Sequence, residues 1–233
     1  MRLYYDLHIH SALSPCGDED MTPNNIVNMA YLKGLDVISV TDHNSCRNVR
    51  AVMEVAKGMI KVVPGMEVTT AEEVHALCYF ADVDAAEDMG EFIRANMQGI
   101  KNEPEIFGRQ LIMDANDGIV GKEEELLVNA VNLDIYQVSA ETKKRGGLFI
   151  PAHIDKSSYS ITSNLGFLPP DLYVDGLEIT ARGLEKYGGM YADYGIITDS
   201  DAHYLENISE QEHFIDSENK TTQKIFEFLC NIK

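Results

Sequence analysis

The chain of 233 residues is long enough to form one sizeable hydrophobic core, and we expect residues 1–233 to be a single domain. Its formal charge of −19, from 38 acidic and 19 basic side chains, disfavours long nucleic acids, because these bind through Lys and Arg. We find no secretory signal pattern, no CxxC pair, and no apolar run of the roughly 20 residues that span a bilayer. We therefore expect a cytoplasmic protein with no membrane partner.

Short strand-like runs recur along the chain, and a helical pattern follows most of them. The first strand is expected over residues 3–7, and an N-cap at Thr22 predicts a helix that continues to about Leu32. A second strand over residues 36–41 is followed by a helix over about 47–58. This order of elements is typical of α/β proteins.

Five further strands are expected over 61–67, 74–80, 147–151, 176–180 and 195–198. Their continuous apolar runs are typical of strands that are buried on both faces. The acidic stretch from about 84 to 145 has helical periodicity and no convincing strand, so we predict a helical insertion there. The whole pattern predicts an α/β barrel or an open α/β sheet.

Most of the histidines lie at or beside the C-terminal end of a predicted strand, or just inside one. They are His8, His10, His43, His75, His153 and His203. Carboxylates accompany them, with Glu67 at the end of the third strand and Asp201 two residues before His203. Such strand ends meet at one rim in α/β barrels, and mixed imidazole and carboxylate ligands suit Zn, Mn or Fe. A single histidine at a strand end is usually structural, but six together predict a multinuclear metal site.

The order of these motifs resembles the PHP (polymerase and histidinol phosphatase) superfamily. The matching motifs are His8-x-His10, Thr41-Asp42-His43, Gly65-x-Glu67, His75, Ala152-His153 and Asp201-x-His203. The resemblance extends from residue 6 to about residue 203. It implies a single PHP domain with a distorted seven-stranded (βα)7 barrel, which holds up to three divalent ions at its C-terminal rim.

The resemblance also implies which side chains share an ion. The first ion is expected to be held by four residues, His8, His10, Glu67 and Asp201. Glu67 is expected to bridge to a second ion, which is held also by His75 and His153. The third ion is expected to contact two residues, His43 and His203.

The last ligand of the third ion falls where the sequence departs from the family's usual motif. Here the segment reads Pro15-Cys16-Gly17-Asp18-Glu19-Asp20. Asp18 is our candidate because it follows a glycine in a turn-prone stretch, and Asp20 is the alternative. Cys16 is a soft candidate ligand, although a buried structural thiol is the simpler interpretation.

The resemblance implies metal-dependent hydrolysis of a phosphate ester by a metal-bridged hydroxide. The expected substrate is a small phosphorylated metabolite or nucleotide, and the expected cofactors are two or three divalent ions, Zn, Mn or Fe. Asp201 or His203 is the candidate proton donor for the leaving group. Arg182 and Lys156 follow strand ends and are candidates for binding the substrate phosphate.

Three other functions are compatible with parts of the pattern. An exonuclease on short oligonucleotides would need a basic or aromatic groove beside the metals. A non-catalytic, metal-stabilised PHP module would have lost ligands, whereas this chain keeps at least eight candidates. An amidohydrolase typically needs a carboxylated lysine or another order of ligands. The sequence leaves the natural substrate, the metal and the oligomeric state open.

Overall fold

The computed structural model describes residues 1–217 and 221–231 as an α/β protein. Its strands are β1 (Arg2–Ile9), β2 (Val37–Val40), β3 (Lys61–Val62), β4 (Gly65–Thr69), β5 (His75–Tyr79), β6 (Leu111–Met113), β7 (Ile119–Lys122), β8 (Leu148–Pro151), β9 (Leu177–Glu178), β10 (Ile196–Ile197) and β11 (Phe214–Asp216). Its helices are α1 (Pro23–Leu32), α2 (Val49–Val55), α3 (Val83–Arg94), α4 (Pro104–Phe107), α5 (Ile135–Lys144), α6 (Ile161–Asn164), α7 (Leu184–Tyr187) and α8 (Thr222–Asn231), with a 3₁₀ turn at Leu205–Asn207.

Helix starts follow the local sequence closely. The side chain of Thr22 accepts a hydrogen bond from the amide of Asn25, and Pro23 occupies the first turn of α1, as predicted. Asp134 and Gln137 form a capping box at the start of α5. None of the described helices is long and apolar enough to cross a membrane.

The strands belong to four separate sheets. One sheet has the order β11-β1-β2-β3, in which β1, β2 and β3 run parallel and β11 runs antiparallel to β1. A second sheet, β4-β5-β8, is antiparallel throughout. β9 and β10 form a parallel pair, and β6 and β7 form an antiparallel pair.

Isolated backbone contacts connect these sheets. Ala202 bridges Ile9 at the end of β1, and the amide of Ile154 donates to the carbonyl of Glu178 in β9. Within residues 1–217 and 221–231 the sheets do not close into a continuous barrel. The predicted α/β class is therefore confirmed, while the closed seven-stranded barrel stays a prediction.

The prediction of an insertion without strands over residues 84–145 is wrong. α3 and α5 are helical as expected, but the β6–β7 hairpin lies between them. The side chain of Asn48 accepts from the amide of Met113 and donates to the carbonyl of Leu111, and so it satisfies the free edge of β6. The pairing strand β7 is adjacent in the chain, and Asp117-Gly118 between two short apolar runs was a local hairpin signal that the sequence analysis overlooked.

Tyr79 links two strands that do not pair with each other. Its side chain is fully buried, and its hydroxyl donates to the carbonyl of Leu7 in β1 over 2.9 Å. The apolar core around it contains Leu77, Leu148 and Ile150. A buried hydrogen bond therefore connects the β4-β5-β8 sheet to the β1 sheet through the core.

We expect Tyr79→Phe to lower the free energy of unfolding by about 1–3 kcal/mol, because the carbonyl of Leu7 loses a buried donor. Urea denaturation followed by circular dichroism measures this change. The matched control is Tyr31→Phe, which removes the same hydroxyl from an exposed ring and should change stability by less than about 0.5 kcal/mol. Equal stability of the two variants would contradict the role of Tyr79.

Candidate metal centre

The end of β1 presents two imidazoles to the same point. His8 and His10 are two residues apart, so their side chains leave the strand on the same face. Their Nε2 atoms lie 3.2 Å from each other, and both rings are fully buried. The pair predicted from sequence is therefore brought together.

His75 reaches the same rim by a different route. It is the first residue of β5, which runs antiparallel to β4, and it lies opposite Thr69 at the end of β4. The N-terminal end of β5 therefore lies beside the C-terminal end of β4. The reversed strand direction explains why a histidine at a strand start joins residues from strand ends.

Glu67 lies at the centre of the cluster and is only 1% exposed. Its Oε1 faces nitrogens of three residues, namely His8 at 3.5 Å, His75 at 2.9 Å and His153 at 3.1 Å. Its Oε2 faces two others, His10 at 3.5 Å and His43 at 3.0 Å. The two oxygens of one carboxylate thus serve two groups of imidazoles.

Asp201 closes the cluster on the side of β1. Its Oδ1 lies 3.4 Å from Nε2 of His8 and 3.2 Å from Nε2 of His10, and its Oδ2 pairs with the ammonium of Lys156. Both Asp201 and His153 have positive φ angles, 53° and 28°. Such backbone conformations are costly for residues other than glycine and are typical of functional sites.

The carboxylates of the cluster are held ionised, whereas the imidazoles differ from one another. Burial lowers the pKa of His8 and that of His43, but Glu178 at His8 and Glu67 at His43 raise both above the usual value. Burial raises the pKa of Glu67, but the imidazoles of His75, His8 and His43 lower it further, to well below its usual value. Asp201 behaves in the same way, since nearby His8 and His10 outweigh burial and hold its pKa well below normal. Burial lowers the pKa of His10 and that of His75, which favours the neutral, metal-binding form of both rings.

Several buried polar atoms of this cluster have no hydrogen-bond partner among the described residues. They are Nδ1 and Nε2 of His75, Nδ1 of His43, Nδ1 of His153 and Oε2 of Glu67. Nδ1 of His43 lies only 3.0 Å from Oε2 of Glu67, yet the two atoms do not form a hydrogen bond. Buried polar atoms that converge on one another without satisfied hydrogen bonds are the arrangement expected of ligands around a cation. The residues present therefore fit divalent ions.

The family profile of the PHP domain matches residues 6–145, which include five of the candidate ligands described above. The chain belongs to the PHP domain family. The ligand candidates at residues 153, 201 and 203 lie beyond the matched segment.

Comparisons with individual proteins agree with the fold of a PHP domain. A stretch of 76 residues is 36% identical to an uncharacterized protein of Methanocaldococcus jannaschii and covers 29% of this chain and 44% of that protein. A lesion-specific endonuclease from Pyrococcus furiosus superposes on all of this chain and on 57% of its own length, with a TM-score of 0.74 and 19% identity. A two-domain protein from Bacteroides vulgatus that contains a predicted PHP-like metal-dependent phosphoesterase superposes on 99% of this chain and 63% of its own, with a TM-score of 0.59 and 18% identity. This PHP domain thus spans about half the length of the first two relatives.

Residues behind the histidines fix which ring nitrogen faces the centre. Nδ1 of His8 lies 2.9 Å from Glu178, so its proton points outward and Nε2 is free for an ion. Ser14 donates to Asp42 and accepts from Nδ1 of His10, which fixes His10 in the same way. Glu178 also accepts a hydrogen bond from the amide of His153.

Sequence reasoning missed these three supporting residues as functional groups. Glu178 shares its position at a strand end with the ligands, and this was the available signal. Asp42 belongs to the Thr41-Asp42-His43 motif after a strand, which was its signal, whereas the role of Ser14 depends on contacts between the β1 and β2 loops.

The turn after β1 places the remaining candidates differently from the expectation. The side chain of Asp18 accepts from the amide of Asp20 and is not part of the cluster, and Asp20 is exposed. Cys16 instead lies with the ring nitrogens of His10, His43 and His203, all within 4.8 Å of one another. The third group therefore contains a thiol where a carboxylate was predicted.

The two candidate substrate-binding residues occupy different positions. Lys156 lines both the mouth of the cluster, a cavity of about 250 Å³, and a wider cavity of about 760 Å³ beside it. Arg182 is exposed and lines only the wider cavity. Lys156 is thus adjacent to the metal cluster, whereas Arg182 is more distant.

Replacing Glu178 by Gln removes the charge behind His8 while preserving the shape of the side chain. We expect the affinity for Zn²⁺ or Mn²⁺ to fall about 10–100-fold, because a neutral amide is a weaker acceptor for the Nδ1 proton of His8 and its NH2 group cannot replace the second acceptor oxygen. Competition with a chromogenic chelator measures the affinity.

The control is Glu206→Gln, which makes the same charge change at an exposed residue of the wider cavity. It should bind metal like the unmodified protein. If Glu178→Gln bound metal with unchanged affinity, this result would contradict the orienting role of the Glu178 carboxylate.

Proposed function

We propose that this PHP domain is a metal-dependent hydrolase of phosphate esters whose divalent ions bind on either side of Glu67. The observation that carries the proposal is the position of this buried carboxylate, whose two oxygens face separate groups of imidazoles. A bound pair of such ions activates the attacking water and stabilises charge on the phosphoryl oxygens. The groups proposed around the pair are His8, His10, Glu67 and Asp201 on one side, and Glu67, His75 and His153 on the other.

The same proposal includes the barrel, the identity of the ions and the cellular compartment. We propose that the seven strands of the family's distorted barrel are all present, with β3 and β4 together forming one of them. The other six are β1, β2, β5, β8, β9 and β10. Zn, Mn and Fe are the proposed ions, since imidazoles and carboxylates suit all three. A reducing, cytoplasmic compartment is proposed because Cys16, Cys46 and Cys78 are free thiols.

A small phosphorylated metabolite or nucleotide is the proposed substrate. The mouth cavity accommodates a phosphoryl group beside Lys156, and the adjoining cavity accommodates the rest of the molecule. Glu206, Glu210 and Glu212 on the wall of the wider cavity would repel an extended polyanion. These acidic groups favour a small substrate over a long nucleic acid.

The two candidate proton donors, Asp201 and His203, differ in how well they suit this role. Asp201 is held ionised by its imidazole neighbours, which suits a metal ligand better than a proton donor. Burial lowers the pKa of His203, but Cys16 and Asp201 raise it above its usual value. His203 therefore suits proton donation better than Asp201, and this role is an alternative to binding a third ion at its ring.

A nuclease acting on short oligonucleotides is the second candidate function. It is supported by the superposition on the endonuclease, which covers the whole of this chain. The acidic wall of the wider cavity argues against it.

We expect the protein loaded with Mn²⁺ or Zn²⁺ to hydrolyse chromogenic phosphate monoesters or diesters, and Glu67→Ala to abolish this activity. Loss of the shared ligand should cost several kcal/mol of transition-state stabilisation, or about 10³-fold in rate. Initial rates on monoester, diester and short oligonucleotide substrates, with elemental analysis of bound metal, measure the effect and rank the two functions.

The control is Glu91→Ala, an exposed carboxylate on α3, which should keep full activity and metal content. A chelator should inactivate the unmodified protein, and added metal should restore it. A fully active Glu67→Ala protein would overturn the proposed site.

We expect Lys156→Ala to reduce kcat/KM by about 10–150-fold, because a charge-assisted hydrogen bond to phosphate contributes about 1.5–3 kcal/mol. Arg182→Ala should have a smaller effect on a substrate that has only one phosphate, since Arg182 does not line the mouth. Steady-state kinetics of both variants measure the difference. A larger loss for Arg182→Ala would place the reacting phosphate in the wider cavity.

A further inference from the structure

The turn after β1 holds Cys16 against the segment that carries His203. The amide of Gly17 donates to the carbonyl of Ser14, and the amide of Asp18 donates to the carbonyl of His203 over 2.9 Å. A Cβ on Gly17 would lie 2.3 Å from the carbonyl oxygen of Ser11, so the turn requires glycine there. The thiol is therefore positioned by backbone contacts on both sides.

Three imidazoles surround this thiol. The rings of His10 and His203 stack with centroids 4.3 Å apart, and the rings of His10 and His43 lie 4.6 Å apart. Their nitrogens and the Cys16 sulfur all lie within 4.8 Å of one another. This group is thus a second ligand cluster beside the Glu67 centre.

The chemistry of the group differs from that of the Glu67 centre. Both nitrogens of His10 are already engaged, one with Ser14 and the other beside Asp201. One thiol and two imidazoles then remain, with a fourth position open towards the mouth cavity. Three protein ligands with an open position are typical of catalytic zinc sites, and sulfur favours zinc over Mn or Mg.

The position of the sulfur supports the same assignment. Cys46 and Cys78 are buried in the apolar core. Cys16 instead lies beside imidazole nitrogens at the mouth of the cluster. Among the cysteine side chains that the structure describes, Cys16 is thus the one placed to bind a metal ion.

We propose that Cys16, His43 and His203 form a third, zinc-selective site with a thiolate ligand. The inference rests on the proposed function, because the site adjoins the ions proposed around Glu67. It assigns to Cys16 the position for which the sequence favoured Asp18. It also gives the third ion a softer ligand set than the imidazole and carboxylate groups beside it.

Cobalt substitution of the full chain tests the inference without any assay of hydrolysis. We expect Co²⁺ to produce a sulfur-to-cobalt charge-transfer band in the near ultraviolet, and Zn²⁺ to displace the cobalt that causes it. Cys16→Ser should lack this band and bind its weakest zinc at least about tenfold less tightly, because even a residue that only orients a ligand contributes about 10–100-fold. Zinc absorption spectroscopy should show a sulfur neighbour at about 2.3 Å in the unmodified protein only.

Cys16→Asp is the matched variant, because it keeps a ligand at this position without the sulfur. It should recover the third equivalent of metal, lack the charge-transfer band and prefer Mn²⁺ to Zn²⁺ more than the unmodified protein does. Circular dichroism checks that both variants fold, as expected for changes at an exposed residue.

The two proposals fail in distinguishable ways. A charge-transfer band without hydrolysis of any ester would overturn the proposed function and support the thiolate site. Hydrolysis without the band, or a band that persists in Cys16→Ser, would overturn the thiolate site and leave the proposed function standing.

Discussion

The buried carboxylate of Glu67 is the constraint on which the rest of the site depends. It is almost completely excluded from water, and five imidazoles lie within 3.5 Å of its oxygens. A charge buried in this way costs several kcal/mol unless other charges or hydrogen bonds compensate it. Several buried polar atoms around it have no hydrogen-bond partner among the described residues, and divalent ions would provide the compensation. Metal binding and stability of this PHP domain should therefore be coupled.

The side chains behind His8 and His10 fix the orientation of both imidazole rings. Glu178 and the Ser14–Asp42 pair direct the outer nitrogens of His8 and His10 away from the centre. In the neutral form of both rings, the inner nitrogens then carry the lone pairs that bind an ion. The chain thus stabilises an arrangement of ligands that would repel one another, and unfavourable backbone conformations at two of them are tolerated in the same framework.

Sequence predicted which side chains come together better than it predicted the framework. The histidines of β1 and Glu67 were found because strand ends and short motifs are local features. The β6–β7 hairpin was missed because its strands are short and the acidic stretch was interpreted as helical, although Asp117-Gly118 is a hairpin signal. Asp18 was preferred to Cys16 because a turn pattern does not show which side chain faces inward. That orientation depends on the hydrogen bond between Asp18 and His203, which only the folded chain brings together.

In the proposed third site, a change at Cys16 would alter the metal preference with little effect on the stability of the fold. The ligands around Glu67 lie on or directly after buried strands, so changing one of them alters the core. Cys16 lies on an exposed turn, and its backbone is held by contacts that do not involve the sulfur. Exchanging sulfur for oxygen there would change the preference of one ion while the Glu67 centre keeps its geometry. Residue 16 is therefore the position at which a PHP domain of this kind can alter its metal preference with the least effect on folding.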